Sequence, residues 1–366
     1  MTPGTHTEQE ISQDGIEVMS QPDCLVCGTS GRIIFEGLAD RVYATPGSWN
    51  FRGCQNRACG VLWLDPMPTP ADVWKAYREY YTHEDPSKMK VKQDFARRLF
   101  RSTMAIFKAS YLNRRYGYGK NKSSENKENL RGVLLGWLAY AMPWRRSEWD
   151  LSVMFLPQLR DGRLLEVGCG NGAFIQEVSE LGWKAEGLDV DPGAVEAARS
   201  KGLPVKLGSL EESRYPDGYF DAICMCHVIE HVHDPVRLFR ECFRVLKPGG
   251  RLCLVTPNAQ SFYRRSFGDS WFALEPPRHL HIFTVNTLRI LLQKAGFRAA
   301  RVFTTVRDAD GLFVASRSIR RTGRCPMNAK VARVEKIYGR IAQLFEWLLT
   351  KTNPCAGEEL SAIAQK

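Results

Sequence analysis

Short apolar runs alternate with amphipathic stretches through the second half of the chain. A short, continuous apolar run suits a strand that is buried on both faces, whereas apolar residues spaced three and four apart mark one face of a helix. The runs predict six strands, at residues 163–167, 184–189, 204–207, 220–226, 250–256 and 300–306. Because strands and helices alternate, we expect an α/β fold with a doubly wound, mostly parallel sheet.

A glycine-rich turn links the first predicted strand to the first helix of this region. It reads Gly168-Cys169-Gly170-Asn171-Gly172, and a helical pattern begins at Ala173. Glycine allows positive φ angles and lets backbone N–H groups approach a ligand, and a helix N-terminus adds unpaired donors. The turn is therefore expected to hold a polar or anionic ligand. The second strand ends at Asp189, where nucleotide-binding folds place a ribose-binding carboxylate.

Two cysteine pairs mark a separate module near the N-terminus. In each pair the second cysteine is followed by glycine, and the four thiols are Cys24, Cys27, Cys54 and Cys59. Four thiolates in two pairs suit a tetrahedral, structural Zn²⁺ site, and a module this small needs the metal to fold. We expect a zinc ribbon over residues 21–66, with strands at 32–35 and 41–43. The alternative is four free thiols in an unstructured tail.

The remaining sequence indicates a cytoplasmic protein. Residues 1–20 are polar and predict a disordered tail without a signal pattern. No apolar run reaches the ~18 residues that a membrane span requires. The other cysteines lie singly inside predicted strands and helices, which suits a reducing compartment. A peripheral position at a membrane stays open because of the segment described next.

The net charge of +11 is concentrated in residues 87–149, within a connector that we place at residues 67–149. Residues 87–149 carry 15 Lys and Arg but 4 Asp and Glu, and the rest of the chain is neutral. A basic amphipathic helix begins near Phe95, and residues 132–142 form an apolar stretch too short to cross a bilayer. Three interpretations compete: a helical lid with a solvated basic face, a contact with a membrane surface or lipid-linked substrate, and an RNA contact.

Together these features resemble the class I S-adenosylmethionine-dependent methyltransferases. Their first motif, E/D-x-G-x-G-x-G, is matched from Glu166 to Gly172, and the acid after the second strand is Asp189. Their motif order continues through His227-Val-Ile-Glu230-His231 and the K-P-G-G at 247–250. The resemblance covers roughly residues 151–314. It implies a Rossmann-like, seven-stranded sheet in residues 150–366, with a helical insertion at about 316–352 and an antiparallel last strand at 357–365.

The resemblance also implies which residues contact S-adenosylmethionine. Glu166 would reach the amino group, the turn would contact the methionine part through its backbone, and Asp189 would bind the ribose. Ser209 stands where relatives often place an Asp for the adenine. The full set of expected cofactor-binding residues is Glu166, Gly168, Cys169, Gly170, Asp189, Val190, Ser209, Leu210 and Cys226.

Three histidines are candidates for the catalytic base. Methyl transfer to a hydroxyl needs a proton acceptor, and histidine titrates near neutral pH. His231 belongs to a Glu-His pair that resembles quinone O-methyltransferases, where a related motif can bind a divalent ion; here His227 replaces the first Glu of that motif. His279 and His281 alternate, so on an extended segment they would point the same way. The alternatives are that His231 orients a loop and that His279 and His281 hold a lid.

The leading hypothesis is a small-molecule methyltransferase that modifies an oxygen or carbon of a sugar, a lipid-linked compound or a secondary metabolite. It resembles bacterial enzymes that carry a four-cysteine ribbon before this fold. One alternative is an RNA methyltransferase that recognises its substrate through the ribbon. Nucleic acid is the less favoured partner because the chain lacks the N/D-P-P-Y/F motif after the fourth strand. Another alternative is a non-catalytic, cofactor-binding subunit.

Overall fold

The computed structural model of the chain describes residues 11–13, 15–78, 95–119, 142–325 and 331–366. The sequence predictions for residues 1–10 and for most of the apolar stretch at 132–142 lie outside these residues.

A seven-stranded sheet forms the centre of the α/β part. Its strands are β7 (Arg163–Val167), β8 (Lys184–Asp189), β9 (Val205–Leu207), β10 (Phe220–Cys226), β11 (Leu246–Pro257), β13 (Ala299–Thr305) and β14 (Glu359–Gln365). They lie in the order β13-β14-β11-β10-β7-β8-β9. All neighbours from β11 to β9 are parallel, and β14 is antiparallel to both β11 and β13. The doubly wound α/β fold with an antiparallel last strand is therefore confirmed.

Helices connect and cover this sheet. Those described are α1 (Phe95–Tyr116), α2 (Pro143–Leu151), α3 (Ala173–Glu180), α4 (Pro192–Arg199), α5 (Pro235–Val245), α6 (Phe262–Phe267), α7 (Val285–Lys294), α8 (Ala309–Thr322) and α9 (Arg333–Thr352). Asp191 and Asp234 cap α4 and α5 by accepting backbone N–H bonds, each followed by a proline at the first helical position. No described helix combines the length and apolar character needed to cross a bilayer.

The N-terminal module contains two small sheets. One has the order β12-β5-β4-β3, with β3 (Gly31–Leu38), β4 (Trp49–Cys54), β5 (Leu62–Leu64) and β12 (His281–Ile282). The other has the order β1-β2-β6, with β1 (Ile11–Gln13), β2 (Ile16–Met19) and β6 (Met67–Pro68). The prediction of disorder over residues 1–20 is therefore wrong for the end of that segment. Ile16 and Val18 bury their side chains, which stabilises the pairing of β2 with β6.

The strand expected at residues 41–43 is also absent, because a buried carboxylate folds this segment into a turn. Asp40 accepts hydrogen bonds from the backbone N–H groups of Val42, Tyr43 and Thr45 at 2.9–3.1 Å. These donors are unavailable to a sheet, so the second long strand of the module begins later, at Trp49.

The cysteine module and the α/β part share one sheet and one core. β12 comes from the segment after β11, yet it pairs with β5, so His281 lies opposite Trp63. Thr284, at the start of α7, donates a 2.7 Å hydrogen bond from Oγ1 to the Cys59 carbonyl. Trp49, Trp63 and Phe283 are all at most 1% exposed in the same apolar cluster.

The end of the basic connector packs against the α/β part. The hydroxyls of Tyr111 and Tyr116 donate to Asp150 Oδ1 at 2.7 and 2.9 Å, and Trp183 Nε1 donates to Tyr118 at 3.1 Å. This half of α1 is therefore fixed by buried polar contacts. The side chains at the basic start of α1, Arg97, Arg98 and Arg101, lie outside the description.

Candidate functional site

The glycine turn leaves an open space at the carboxyl end of β7. Gly168 and Gly170 both have positive φ, of 71° and 51°. A Cβ at Gly168 would come within 2.4 Å of Val228, so the chain backs closely onto the segment after β10. A Cβ at Gly170 would meet no atom of the described chain within 4 Å. Gly170 therefore borders a space that a side chain would fill and that a ligand can occupy.

The backbone N–H groups of residues 168–170 are engaged within the protein. The N–H groups of Gly168 and Cys169 both donate to the Leu188 carbonyl, at 2.8 and 3.0 Å. The N–H of Gly170 donates to Asp189 Oδ2 at 2.7 Å. The Cys169 side chain is buried beneath Gly187, with its Sγ 2.7 Å from the position a Cβ would take there. The first three N–H groups of the turn are therefore engaged with β8.

Two carboxylates, Asp189 and Glu166, lie next to this turn. Asp189 Oδ1 also accepts from the Asp191 N–H at 2.9 Å, so each oxygen of Asp189 keeps one acceptor site. Glu166 is buried, and its Oε2 has no hydrogen-bond partner among the described residues. Burial, and then the charge of Asp189, raise the pKa of Glu166 well above its ordinary value. An unpaired buried carboxyl oxygen is costly, and a ligand amino group would satisfy it.

An apolar shelf continues from Asp189. Val190 is 73% exposed, and Leu207, which pairs with Asp189 across β8 and β9, is 51% exposed. Such a surface suits the face of an aromatic base. Ser209 is already engaged, because its N–H and Oγ donate to Glu212 Oε2 at 3.0 and 2.9 Å. Leu210 is buried in the core, so only its backbone is available to a ligand.

A cavity of about 1070 Å³ lies beyond the end of β10. It is bounded by residues after β10, by the segment 272–279, by the start of β14 and by α8 and α9. Cys226, half-buried at the end of β10, immediately precedes the cavity wall at His227. Val228, the residue after the cavity-lining His227, packs against Gly168, whereas the glycine turn itself is not among the residues that line the cavity.

His227 is held between two carboxylates. Its Nδ1 is 3.0 Å from Glu230 Oε1, and its Nε2 is 3.0 Å from Glu359 Oε1. Burial opposes a charge on His227, but Cys226, Glu230 and Glu359 raise its pKa well above the ordinary value. Both ring nitrogens are engaged, so His227 acts as a fixed cation and cannot accept a proton from a substrate.

Glu230 is the carboxylate that contacts Nδ1 of His227. Its side chain is fully buried, and Thr256 donates to its Oε2 at 3.0 Å. Burial opposes its charge, but His227 lowers its pKa to about 2. Glu230 is therefore a permanent carboxylate at neutral pH.

His231 and His279 lie together on the cavity wall, with ring centroids 4.8 Å apart. His279 is 5% exposed, and its Nδ1 donates to the Ala273 carbonyl at 2.8 Å. That bond fixes the tautomer and leaves Nε2 as an acceptor. His231 Nδ1 lies 3.0 Å from the Arg278 carbonyl and 2.9 Å from the Tyr77 hydroxyl. Burial, and then the charge of His279, lower the pKa of His231 to about 4.

His281 lies elsewhere, so the expectation that it shares a direction with His279 is wrong. His279 belongs to a turn and not to an extended segment, whereas His281 lies in β12 and stacks on Phe283 at 5.9 Å between ring centroids. Burial, and then His233, lower the pKa of His281 to about 4. His281 is not among the residues that line the cavity.

The four predicted thiols do converge. Cys24 and Cys59 are 3.6 Å apart at Sγ, Cys27 and Cys54 are 3.4 Å apart, and all four sulfurs lie within 4.8 Å of one another. Tetrahedral Zn–S bonds of about 2.3 Å require sulfurs roughly 3.8 Å apart. The hydrogen bond between Cys24 and Cys59 lowers the pKa of Cys24 to about 5 and raises that of Cys59. The donor set and its spacing fit a four-thiolate metal site.

Several site residues could not be recognised from the sequence. Glu359 and Glu275 reach the histidines from β14 and from the turn before β12, and Tyr77 reaches His231 from 154 residues away. Glu230 had a local signal, the Glu-His pair, and Tyr77 had a weak one, the aromatic stretch after the cysteines. Nothing in the local sequence marks Glu359 as a partner of His227.

Residues 143–302 match the family model of a methyltransferase domain. A ubiquinone biosynthesis O-methyltransferase of Xanthomonas oryzae pv. oryzae is 35% identical over 132 residues, which cover 34% of this chain and 55% of that protein. A probable S-adenosylmethionine-dependent methyltransferase of Mycolicibacterium smegmatis is 32% identical over 152 residues, which cover 41% of this chain and 54% of that protein.

The chain spans about half the length of these curated relatives. Among solved structures, an S-adenosylmethionine dependent methyltransferase from Mesorhizobium loti aligns at a TM-score of 0.43 and 21% identity, over 60% of this chain and 98% of that one. The matched region of this chain includes the glycine turn, Asp189 and the Glu230-His231 pair, and also His279 and His281.

Proposed function

We propose that this chain is an S-adenosylmethionine-dependent methyltransferase and that it transfers a methyl group to an oxygen or an acidic carbon of a small molecule. The match of residues 143–302 to a methyltransferase-domain family supports the proposal. The observation that carries the proposal is the histidine pair on the cavity wall. An amine acceptor needs no base, whereas a hydroxyl or C–H acid does. The name of the Xanthomonas relative, an O-methyltransferase, supports the same acceptor class.

The glycine turn and the strand ends beside it fit S-adenosylmethionine. Glu166 Oε2 would accept a hydrogen bond from the amino group of the cofactor, and the space at Gly170 would hold its methionine part. Asp189 would bind the ribose hydroxyls. Val190 would cover the adenine. When bound, S-adenosylmethionine supplies a methyl group already activated on a sulfonium, so the protein's main tasks are to position the acceptor and exclude water.

We assign the proton acceptor to His279. Its tautomer is fixed by Ala273, and its Nε2 makes no hydrogen bond within the described residues, with the Glu275 carboxylate 3.8 Å away. His231 has a pKa lowered to about 4, which makes it a weak base at neutral pH. Its role is to pack against His279 and to connect that ring to Tyr77. His227, held by Glu230 and Glu359, contributes fixed positive charge to the wall.

We also propose that the four thiols hold one structural Zn²⁺. With four protein ligands no coordination position remains open for chemistry. The metal would therefore support the fold of the ribbon and take no part in methyl transfer.

Replacing Asp189 should weaken cofactor binding. In Asp189→Ala the ribose hydroxyls lose a charged acceptor, and we expect a loss of roughly 1.5–3 kcal/mol, on the order of ten- to a hundred-fold in affinity. Calorimetric titration of S-adenosylhomocysteine measures this. The control is Asp217→Ala, a carboxylate that is 80% exposed just before the amino end of β10, and this variant should bind as wild type does. Equal affinity in Asp189→Ala would refute the cofactor assignment.

Replacing His279 should remove the proton acceptor and leave cofactor binding intact. We expect His279→Gln to lower the single-turnover rate of methyl transfer by roughly 10²- to 10⁴-fold, with the affinity for S-adenosylhomocysteine unchanged. Single-turnover transfer of labelled methyl groups, with cell extract fractions as acceptors, is the measurement. His281→Gln is the matched control, because that ring is equally buried but lies off the cavity wall. If His281→Gln loses activity and His279→Gln does not, the assignment of the base is wrong.

A further inference from the structure

The last long helix presents its apolar side to solvent. Eight large apolar residues on and just before α9 are 43–59% exposed. They are Val331, Val334, Ile337, Tyr338, Ile341, Leu344, Phe345 and Leu348. From Val334 onward they recur at intervals of three and four, so they form one stripe along a helix about 30 Å long. We call this stripe the α9 apolar face.

The opposite side of α9 fixes this orientation. Gly339 packs so closely that a Cβ there would lie 2.7 Å from the Asp310 carbonyl. Gln343 is buried and donates to the Val306 carbonyl at 2.8 Å, and Glu346 is buried and accepts from the Glu358 N–H at 2.5 Å. Small and polar residues thus face inward, the reverse of an ordinary surface helix. An exposed apolar patch of this kind marks an interaction surface.

The surroundings of the α9 apolar face are basic. Residues 309–352 carry nine Lys and Arg but three Asp and Glu. Glu335 pairs with Arg317 and Arg321 at 3.2 Å, Asp310 pairs with Arg340 at 3.3 Å, and Glu346 is buried. Five further cations have no carboxylate within salt-bridge distance in the described parts of the chain: Arg320, Arg324, Arg333, Lys336 and Lys351. The acids of this region are therefore already neutralised.

The positive charge around the α9 apolar face indicates which kind of partner can bind there. A second copy of the chain would bring one basic rim against another, and like charges oppose such a pairing. An anionic bilayer surface attracts the cations, and the boundary between headgroups and acyl chains accepts the apolar stripe. We propose that the α9 apolar face and its basic rim dock the protein on an anionic membrane surface.

The docking surface continues into the cavity. Val331, Lys336 and Arg340 of the α9 region and Arg317 and Arg321 of α8 line the same cavity as the histidine pair. A molecule held at the bilayer surface can therefore place its polar end beside His279 while its apolar part stays near α9. The acceptor is accordingly an amphiphile that partitions into the membrane. This part of the inference rests on the proposed methyl transfer; the docking surface does not.

Vesicle flotation of the full chain tests the docking surface. Vesicles of phosphatidylcholine alone are compared with an equal mixture of phosphatidylcholine and phosphatidylglycerol. Wild type should float with the anionic vesicles and should be released by salt. Ile341→Glu/Leu344→Glu should bind at least about tenfold more weakly, because two charges would enter the acyl boundary. Ile33→Glu, a residue 45% exposed on β3, is the matched control and should float as wild type.

Three outcomes would overturn the docking proposal. They are no flotation of wild type, equal flotation of the double variant, and a wild-type dimer in solution that the double variant abolishes. S-adenosylhomocysteine titration is run on the same samples and should be unchanged in Ile341→Glu/Leu344→Glu. If wild type does not bind S-adenosylhomocysteine, the proposed function is refuted. The flotation result then still decides the docking surface, so the two proposals can fail separately.

Labelled methyl transfer tests the acceptor class. Total membrane lipid from the producing cells is incorporated into the anionic vesicles, and labelled S-adenosylmethionine is added. Label should appear in the organic phase and should fall severalfold in the double variant. Label confined to the water-soluble fraction of a whole-cell extract would overturn the amphiphile assignment.

Discussion

Removal of zinc should unfold the cysteine module and disorder the histidine site with it. Structural Zn²⁺ contributes about 10–16 kcal/mol of apparent free energy in small zinc modules, more than most domains have in total. The module is tied to the α/β part at the metal cluster itself, since the Cys59 carbonyl accepts from Thr284 and the Val26 carbonyl accepts from Lys294 Nζ at 2.5 Å. Loss of the cluster therefore releases both contacts and the pairing of β5 with β12.

The measurement is elemental analysis followed by chelation. Purified protein should hold about one zinc ion per chain, and a strong chelator should abolish the cooperative thermal transition of the module. Cys54→Ser should reproduce this loss, whereas Cys355→Ser, a half-buried thiol outside the cluster, should not. Zinc-free protein of full stability, or a Cys54→Ser variant as stable as wild type, would contradict the metal assignment.

The position of the module also predicts which function is lost first. β12 directly follows the turn that carries His279, whereas Asp189 and Gly170 lie at the ends of β8 and β7. Chelation should therefore abolish methyl transfer while S-adenosylhomocysteine still binds with an affinity within about a few-fold of the original. If chelation abolishes methyl transfer and S-adenosylhomocysteine binding together, the cysteine module and the α/β part unfold as one unit.

The sheet was predictable because its signals are local. The bounds of β7, β8 and β10 follow from short apolar runs that end at glycine or polar residues, and Asp191 and Asp234 cap their helices as their Asp-Pro pairs predict. These features depend on backbone preferences within a few residues. The cysteine cluster was predictable for the same reason, since its two pairs each lie within one turn.

The wall of the site was less predictable, because its contacts are remote and compete with local patterns. Arg278 and Asp40 are separated by 238 residues, and His227 and Glu359 by 132. In the sequence Arg278 is one arginine among many, and only the fold shows that it is fully buried. The alternation of His279 and His281 suggested a shared direction, but the pairing of β12 with β5 assigned His281 to the ribbon instead.

Asp40→Asn should cost about 3–5 kcal/mol of folding free energy, the usual effect of breaking a buried ion pair from one side. Both side chains are fully buried, with Arg278 Nη1 and Nη2 at 2.8 and 2.9 Å from the two oxygens of Asp40. Arg278 Nε also donates to Glu275 at 2.9 Å, and its carbonyl accepts from His231. In the variant the buried guanidinium of Arg278 loses one of its two carboxylate partners. We therefore expect a lower free energy of unfolding and a displaced histidine pair.

Urea denaturation measures the loss, and the ion pair between Arg41 and Asp269 supplies the control. That pair also joins the ribbon to the α/β part, but Asp269 is 60% exposed, so Asp269→Asn should change stability by less than about 1 kcal/mol.

The pH dependence of stability gives a second check of the buried pair. Burial opposes the charge of Asp40, but Arg278 lowers its pKa to about 2. Because the folded-state pKa lies below the unfolded value of about 3.9, the stabilisation is complete above that value and disappears as the pH falls toward 2. The difference between wild type and Asp40→Asn should therefore shrink over that range. A difference that is independent of pH there, or no larger than that of Asp269→Asn, would show that the buried pair does not hold the ribbon against the site.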